Sequence, residues 1–329
     1  MGKKSKSPED KIEQKKKQWI ERTAEVLHVS EETVGHLLSV PRQQSIRLNP
    51  LKADPNKTIG ELKTLGWQGQ PVGWCTNGYT VESDLKKIRD SDLVSNGAAY
   101  IQNAASWLPV LALNAQPDDD ILDVCAAPGG KTSHIAALTS NKARITANDN
   151  SKPRLAKIRA NLARMGVDNV FYTMYDAMYL SHKIYGRRYD KILLDAPCSG
   201  EGMMALGNDK DFATWSVAHI KRLQQLQRRI LSQSWQLLKP GGTLVYSTCT
   251  MAPEENEAVI DYLLRHNDDV MIEQIKMDLP NRVSPVMSWN GKDFDHTLKF
   301  AMRLIPSPEV EAFFVCKLTK TLDNQYPKM

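Results

Sequence analysis

Two short segments carry residues able to do covalent chemistry. One is Leu194-Asp195-Ala196-Pro197-Cys198-Ser199-Gly200, and the other is Tyr246-Ser247-Thr248-Cys249-Thr250. Each sets a cysteine just after an apolar run that reads as a buried strand, 191–194 and 243–247. In parallel α/β sheets, ligands sit at the carboxyl ends of strands. Two thiols and an aspartate there would face one pocket, and a thiolate is a strong nucleophile. Free cysteine is also a common small core residue, and a lone one would be read that way. A second cysteine in the equivalent place, with an acid beside the first, gives the chemical reading equal standing. The residues alone leave open which thiol attacks.

A third segment reads as a ligand loop. Asp123-Val124-Cys125-Ala126-Ala127-Pro128-Gly129-Gly130-Lys131-Thr132 follows the first strong strand and leads into a helix. Glycines there let the backbone approach a ligand, and a helix start favours a carboxylate or phosphate. The run is neither G-x-G-x-x-G nor a Walker loop, so a dinucleotide is disfavoured while a nucleoside ligand stays in view. Asp149 ends the next strand at the spacing from which an acid reaches ribose hydroxyls. Asp176 follows the third strand and is placed to accept from an adenine amino group; Asp195 follows the fourth. Each aspartate alone reads as a cap or turn residue. Acids after four successive strands argue jointly for a ligand.

The elements that must position these residues alternate from about Gly97 onward. Strands are expected at 121–124, 144–148, 170–173, 191–194 and 243–247, with helices at 132–138, 153–165 and 216–238. That alternation predicts an α/β fold with a doubly wound, mostly parallel sheet. Lys239-Pro240-Gly241-Gly242 should end the long helix, whose Lys221, Arg222, Arg228 and Arg229 read as a solvated face. Upstream lies a small helical plus α+β domain. Helical spacing starts at Trp19, Ser30 reads as the cap of a second helix ended by Pro41, and a strand is expected over 45–50. A short helix over 58–65 has Thr58 as its expected cap. The expected divisions are a basic flexible arm (1–17), an RNA-binding-like domain (18–95), the catalytic domain (96–320) and a tail (321–329). Arg47, Lys52, Lys57, Lys63, Lys86, Lys87 and Arg89 sprinkle the second of these with positive charge, which suits an RNA-contacting surface and a merely soluble one equally.

The 329 residues suffice for one large domain and a smaller one, and the net charge of +5 is compatible with a polyanionic partner. Five widely spaced cysteines, no secretory h-region and no apolar run able to span a bilayer fit a reducing cytoplasm, without a membrane. No CxxC or His-rich cluster suggests a metal. A monomer is expected.

Cys125-Ala126-Ala127-Pro128-Gly129-Gly130-Lys131, Asp195-Ala196-Pro197-Cys198-Ser199-Gly200 and Ser247-Thr248-Cys249, in this order, resemble the Nol/Nop/Sun-type RNA cytosine-5 methyltransferases, which use S-adenosylmethionine. The similarity runs from about Ser45 to Leu318. It takes in Tyr100-Ile101-Gln102, Pro253-Glu254-Glu255-Asn256-Glu257 and Arg303-Leu304-Ile305-Pro306 with Phe313-Phe314, and it is strongest toward the bacterial ribosomal-RNA branch. The resemblance implies a Rossmann-like class I methyltransferase fold with RNA as partner, ribosomal RNA favoured over transfer RNA. It implies that 125–131 wraps the methionine part of the cofactor, that Asp149 holds the ribose and Asp176 the adenine edge, and that Asp195 lies between cofactor and target base. Cys249 would be the nucleophile and Cys198 would assist product release. Cys75, Cys125 and Cys316 read as structural, Cys125 giving mainly its backbone to the loop.

The chain departs from the family where an Arg-Lys pair usually follows Gly202; here Met203-Met204-Ala205-Leu206-Gly207 stands, with Lys210 later. Glu311-Ala312 occupies positions where glycine is common. The sequence ends without the added C-terminal RNA-binding domain of some relatives, so RNA positioning is expected from the region before Gly97. An amide-nitrogen methyltransferase would carry Asn-Pro-Pro-aromatic where Asp195-Ala196-Pro197-Cys198 stands. A non-catalytic assembly factor would not need every catalytic position filled.

Overall fold

The computed structural model describes residues 7–39 and 42–322. The first helix, α1 (Pro8–Leu27), is capped by Ser7 and Asp10, which exchange side-chain and backbone hydrogen bonds. Residues 8–17, expected as a flexible arm, are therefore helical. The reason is tertiary: Lys15 Nζ donates to the carbonyls of Phe212 and Ala213 at 2.9 and 2.8 Å, and Lys16 pairs with Asp209 at 2.7 Å. Residues 1–6, Pro41 and 323–329 lie outside the described residues. In α2 (Glu31–Ser39), Ser30 caps as expected, accepting from Thr33 N at 3.1 Å.

Strand β1 (Gln44–Leu48) pairs antiparallel with β2 (Gly78–Val81) and β3 (Ala99–Ile101). Helix α3 (Pro55–Thr64) and the short α4 (Leu85–Arg89) and α5 (Asp92–Ser95) complete this unit around Ile46, Leu48, Leu62, Trp67 and Ile88. The cap of α3 is Asp54, not Thr58; Pro55 at the first helical position moves the start upstream.

After α6 (Leu108–Leu113) the chain runs β4 (Asp120–Asp123), α7 (Gly130–Leu138), β5 (Arg144–Asn148), α8 (Lys152–Arg164), β6 (Val170–Thr173), α9 (Leu180–Lys183) and β7 (Tyr189–Asp195). It continues with α10 (Asp209–Thr214), α11 (Val217–Gln236), β8 (Leu238–Thr248) and α12 (Glu257–His266). Strands β9 (Val270–Glu273) and β10 (Arg282–Val283) precede a small hairpin, β11 (Ser288–Trp289) with β12 (Lys292–Asp293); β13 (Met302–Leu304) and β14 (Phe313–Lys320) close the fold. The large sheet is parallel through β6-β5-β4-β7-β8 and gains antiparallel β14, β13, β10 and β9 beyond β8. This is the doubly wound arrangement the alternation predicts, with an antiparallel extension. Lys239-Pro240-Gly241-Gly242 does not separate α11 from the last parallel strand. It lies inside β8, where the register to β7 shifts between Tyr189 and Lys191.

Alternate residues explain why both faces are covered. Ile121, Leu193, Val245, Phe313 and Val315 meet α6, α7 and α8 on one face. Leu122, Ile192, Leu194, Leu244, Tyr246 and Phe314 meet α11 and α12 on the other. A third cluster joins α1 and α2 to the loops after β7 and β8: Trp19 packs edge-on against Phe212 at 5.2 Å, with Met204, Trp215, Met251 and Ala252 around them. Each such buried side chain adds roughly 1.5–3 kcal/mol, so the first helices brace the loops that bear the cysteines. No helix of the described residues is long and apolar enough to cross a membrane.

Candidate active site

The chain moves outward from β4 to β5 and β6, then returns to the other side of β4 with β7 and β8. A crevice opens where such a sheet reverses its direction of growth. Asp123 aligns with Leu193, and Asp195 with Ser247, so the loops after β4, β7 and β8 leave the same sheet edge side by side.

This places Cys198 Sγ 3.4 Å from Cys249 Sγ, both residues half-buried. The contact with Cys249 comes first in pushing the Cys198 thiol well above its ordinary range, and burial adds to it. Either sulfur can donate the hydrogen of this contact. Gly202 N donates to Cys249 O at 2.9 Å. A Cβ at Gly202 would lie 2.2 Å from Ala312 O and 2.8 Å from Cys249 O, so only glycine lets the two loops meet there.

Asp195 joins this pair to the loop after β4. Its Oδ2 lies 2.6 Å from Lys131 Nζ, and its Oδ1 accepts from Ser247 Oγ at 2.7 Å. Burial alone would lower the Lys131 pKa, but the adjacent Asp195 outweighs it and the net shift is upward. Lys131 stays an ammonium and also senses the charge of Cys249. Beside it is a cavity of about 210 Å³ lined by Tyr100, Gln102, Asp123, Cys125, Lys131 and Asp195. Ala126, Ala127, Pro128 and Gly130 contribute to its wall, while Gly129 caps α7 in the left-handed conformation, with φ 100°.

Asp123 is buried at one end of this cavity. Its Oδ2 accepts from Thr132 Oγ1 at 2.6 Å, while Oδ1 has no hydrogen-bond partner among the described residues. Burial pushes its pKa up to about 7. A buried carboxylate oxygen without a donor, beside an open cavity, is suited to an ammonium or N–H group from a ligand. Asp149 and Asp176 stand further along the same edge, after β5 and β6, and do not line the cavity. Asp149 accepts from Ser151 N at 3.0 Å and pairs with Arg154 at 3.2 Å; Asp176 accepts from Met178 N at 2.9 Å. Cys75 and Cys316 are buried, and burial pushes both thiols up, Cys75 to about 12. Burial pushes Cys125 up as well. These three are poor nucleophiles.

Three features escaped the sequence reading. Arg47, expected among the surface charges, is buried; Nη2 donates to Gly130 O at 3.2 Å and Ser133 Oγ at 2.9 Å, so it supports the start of α7. Lys52, Lys57, Lys63, Lys86, Lys87 and Arg89 are exposed. Glu311 is buried, accepts from Asn103 Nδ2, and is pushed to about 7 by burial against the opposing pull of Arg42 and Lys131. Glu201 and Glu255 lie buried, bonded to Thr250 and Ser199, the neighbours of the two cysteines. The run quoted as Pro253-Glu254-Glu255-Asn256-Glu257 held the signal for the last, and the departure before Phe313 that for Glu311. At 203–207, Met204 is buried against the α1 cluster and Met203 is exposed. In the long helix, Lys221, Arg222 and Arg229 are exposed, but Arg228 is half-buried over the Tyr262 ring at 5.0 Å.

The family "16S rRNA methyltransferase RsmB/F" matches residues 110–319, and "N-terminal domain of 16S rRNA methyltransferase RsmF" matches 16–104. A tRNA (cytosine(49)-C(5))-methyltransferase of Pyrococcus abyssi is 36% identical over 306 residues, covering 92% of this chain and 96% of that protein. Ribosomal RNA small subunit methyltransferase F of Aeromonas hydrophila is 41% identical over 234 residues, 68% of this chain and 48% of the relative. The Shewanella amazonensis protein of the same description is 36% identical, over 89% of this chain and 62% of its own length. This chain thus spans about half to six-tenths of those two relatives. Among solved structures, a methyltransferase homolog from Pyrococcus horikoshii superposes with a TM-score of 0.81 at 33% identity, covering 96% of this chain and 100% of its own. NSun6 from Pyrococcus horikoshii, determined with SFG, gives 0.78 at 25% identity over 93% and 98% of the two chains. The loops, the thiol pair and these likenesses agree: the chain belongs to the RsmB/F methyltransferase family, of the Nol/Nop/Sun type of RNA cytosine-5 methyltransferase.

Proposed function

We propose that this chain methylates carbon 5 of a cytosine in RNA through a covalent cysteine adduct, with S-adenosyl-L-methionine as donor and ribosomal RNA as the favoured substrate. One observation carries the reading: two sulfurs 3.4 Å apart beside the Lys131–Asp195 pair. Carbon 5 of cytosine is a poor nucleophile. Addition of the Cys249 thiolate to carbon 6 would push electron density onto carbon 5, which would take the methyl group as the methyl's bond to the donor's sulfur breaks. Asp195, held by Lys131 and Ser247, is the candidate acid for stabilising charge at ring nitrogen 3. A base then removes the proton from carbon 5, the electron pair returns to the ring, and the sulfur–carbon 6 bond breaks. Cys198 is the group assigned to these later steps. Cys249 is assigned as the attacking sulfur by the resemblance to the family, the choice that the residues alone left open.

When bound, the donor would supply an electrophilic methyl group. The residues fit it: the partnerless Asp123 Oδ1 suits the ammonium of a methionine end, and 125–131 supplies backbone at the start of α7. Asp149 and Asp176 are the acids for ribose and adenine. The target base must be unpaired or flipped from its stack to meet the thiol. The exposed lysines of the N-terminal unit suit the RNA backbone, and a monomeric, cytoplasmic enzyme fits this reading. A transfer-RNA substrate is the second reading, favoured by the match over nearly the whole Pyrococcus abyssi relative. Incubation with methyl-labelled donor and separate ribosomal and transfer RNA pools, followed by bisulfite sequencing, tests the proposal. Label at one cytosine is expected; label absent from cytosine in both pools would overturn it.

A further inference from the structure

Among the residues of the two cysteine loops, Glu201 and Glu255 are buried at 3% and 0% exposure. No Lys or Arg among the described residues forms an ion pair with either. They meet through one hydroxyl: Thr250 Oγ1 lies 3.0 Å from Glu201 Oε2, 3.5 Å from Glu255 Oε1 and 2.8 Å from Ser199 Oγ. The outer oxygens are already served. Glu201 Oε1 accepts from Trp215 Nε1 at 2.8 Å; Glu255 Oε2 accepts from Ser199 N at 3.0 Å and Gln227 Nε2 at 2.8 Å.

The hydrogens can be counted. Thr250 and Ser199 bring one hydroxyl hydrogen each. With both carboxylates ionised, Thr250 can donate to only one of them, and the other faces an oxygen with nothing between. One added proton, on Glu255 Oε1, resolves this: Glu255 donates to Thr250, and Thr250 donates to Glu201. Two carboxyl groups sharing a buried site titrate as a pair, and one of them keeps its proton.

The same atoms join the two cysteine loops. Ser199 and Glu201 belong to the loop of Cys198, and Thr250 and Glu255 to the loop of Cys249. Gln227 of α11 bridges them by donating also to Pro197 O at 2.9 Å. We infer that Glu201 and Glu255 are positioning residues that share one proton through Thr250, and that this proton holds Cys198 and Cys249 at their working separation. The inference rests on the reading that the two thiols act as a pair. Losing the proton would set two like charges across the seam between the loops and part the sulfurs.

The surrounding charges agree with a retained proton. Burial pushes Glu255 to about 7, with Glu201 adding to the shift, and burial raises Glu201 too. Arg22 of α1 opposes the rise at Glu201, but its guanidinium is committed to Glu254 at 3.0 Å, and Glu254 reinforces it. Cys198 and Tyr246 face Glu255, and its charge would push both of them up.

The test uses the full chain without RNA or donor. Dibromobimane fluoresces when it bridges two neighbouring thiols, so its cross-linking rate reports the Cys198–Cys249 separation. Glu255→Gln mimics the protonated state, its amide N–H replacing the acid hydrogen. The ratio of the Glu255→Gln rate to the unmodified rate should be near one at pH 6 and reach ~10 at pH 8, where a group titrating near 7 is about nine-tenths ionised. Glu255→Ala should cross-link several-fold more slowly at both pH values. Should Glu255→Gln fold poorly, Glu201→Gln must show the same rise, because either amide supplies the missing hydrogen. In methyl-transfer assays the loss in Glu255→Ala should fall on kcat with KM little changed. Parallel pH profiles for the unmodified protein and both glutamine variants would overturn the inference. Because cross-linking needs no substrate, a protein that cross-links as expected yet methylates nothing would count against the proposed function and leave the shared proton standing.

Discussion

Removing the Glu257 carboxylate should destabilise the protein more than removing the whole ion pair to which it belongs. Arg303 on β13 and Glu257 at the start of α12 are 2% and 0% exposed. Arg303 Nε and Nη2 donate to the two Glu257 oxygens at 2.9 and 2.6 Å, and Nη1 donates to Met251 O at 2.8 Å. Met251 is two residues past Cys249, so the pair ties the Cys249 loop to the sheet extension. Glu257→Ala leaves a guanidinium buried without a counter-charge, which costs ~3–5 kcal/mol. At about 2–4 °C per kcal/mol, the slope for domains of 150–250 residues, Tm should fall by roughly 6–20 °C. The double change Glu257→Leu with Arg303→Leu removes both charges; Val286 N loses its partner in either variant, so the double change adds only the orphaned Met251 O, ~1–3 kcal/mol, while sparing the buried unpaired charge. Thermal and urea melts followed by circular dichroism measure both. A Glu257→Ala protein melting within ~2 °C of the unmodified chain would refute the reasoning. So would a double variant clearly less stable than the single one.

Other outcomes follow from the same geometry. Cys249→Ala should abolish methyl transfer while isothermal titration still detects donor binding; full activity would exclude this sulfur as the nucleophile. Glu311 ionises near 7 when folded against an ordinary value of 4.5, because it is buried. The folded state therefore binds more protons between those values, and stability falls as pH rises through that window. Glu311→Gln should remove up to ~3 kcal/mol of that fall; equal slopes in urea melts from pH 5 to 8 would contradict this. Replacing Lys86, Lys87 and Arg89 with glutamine should weaken RNA binding and make the dependence of log affinity on log salt shallower by about two units. An unchanged slope would move the RNA path elsewhere.

The parallel half of the sheet was readable because its strands are buried on both faces and bounded by strong signals. Ile121, Leu122, Leu193 and Leu194 are apolar without interruption, and the Gly-Gly step before Lys131 marks a strand turning into a helix. The antiparallel extension was not readable from periodicity, since β10 and β13 are short and take their order from the pairing of β13 with β14 and of β10 with β13. Residues 8–17 misled for a related reason. Their lysines suggest a solvated arm, yet Lys15 and Lys16 are consumed by partners almost 200 positions away. Arg47 misled likewise, as its charge lies under α7 and its stem inside the domain. Within the site, the cysteines and aspartates announced themselves by position after strands. Glu201, Glu255 and Glu311 did not, because their meaning depends on burial and on a hydroxyl from another loop.

The most direct measurement mixes Cys198→Ala with methyl donor and RNA bearing the target cytosine, then digests the product for mass spectrometry. The chemistry proposed here predicts a denaturant-stable RNA–protein conjugate whose mass maps to the peptide containing Cys249, carrying a methylated pyrimidine. Continued turnover with no conjugate, or a conjugate on another residue, would contradict it.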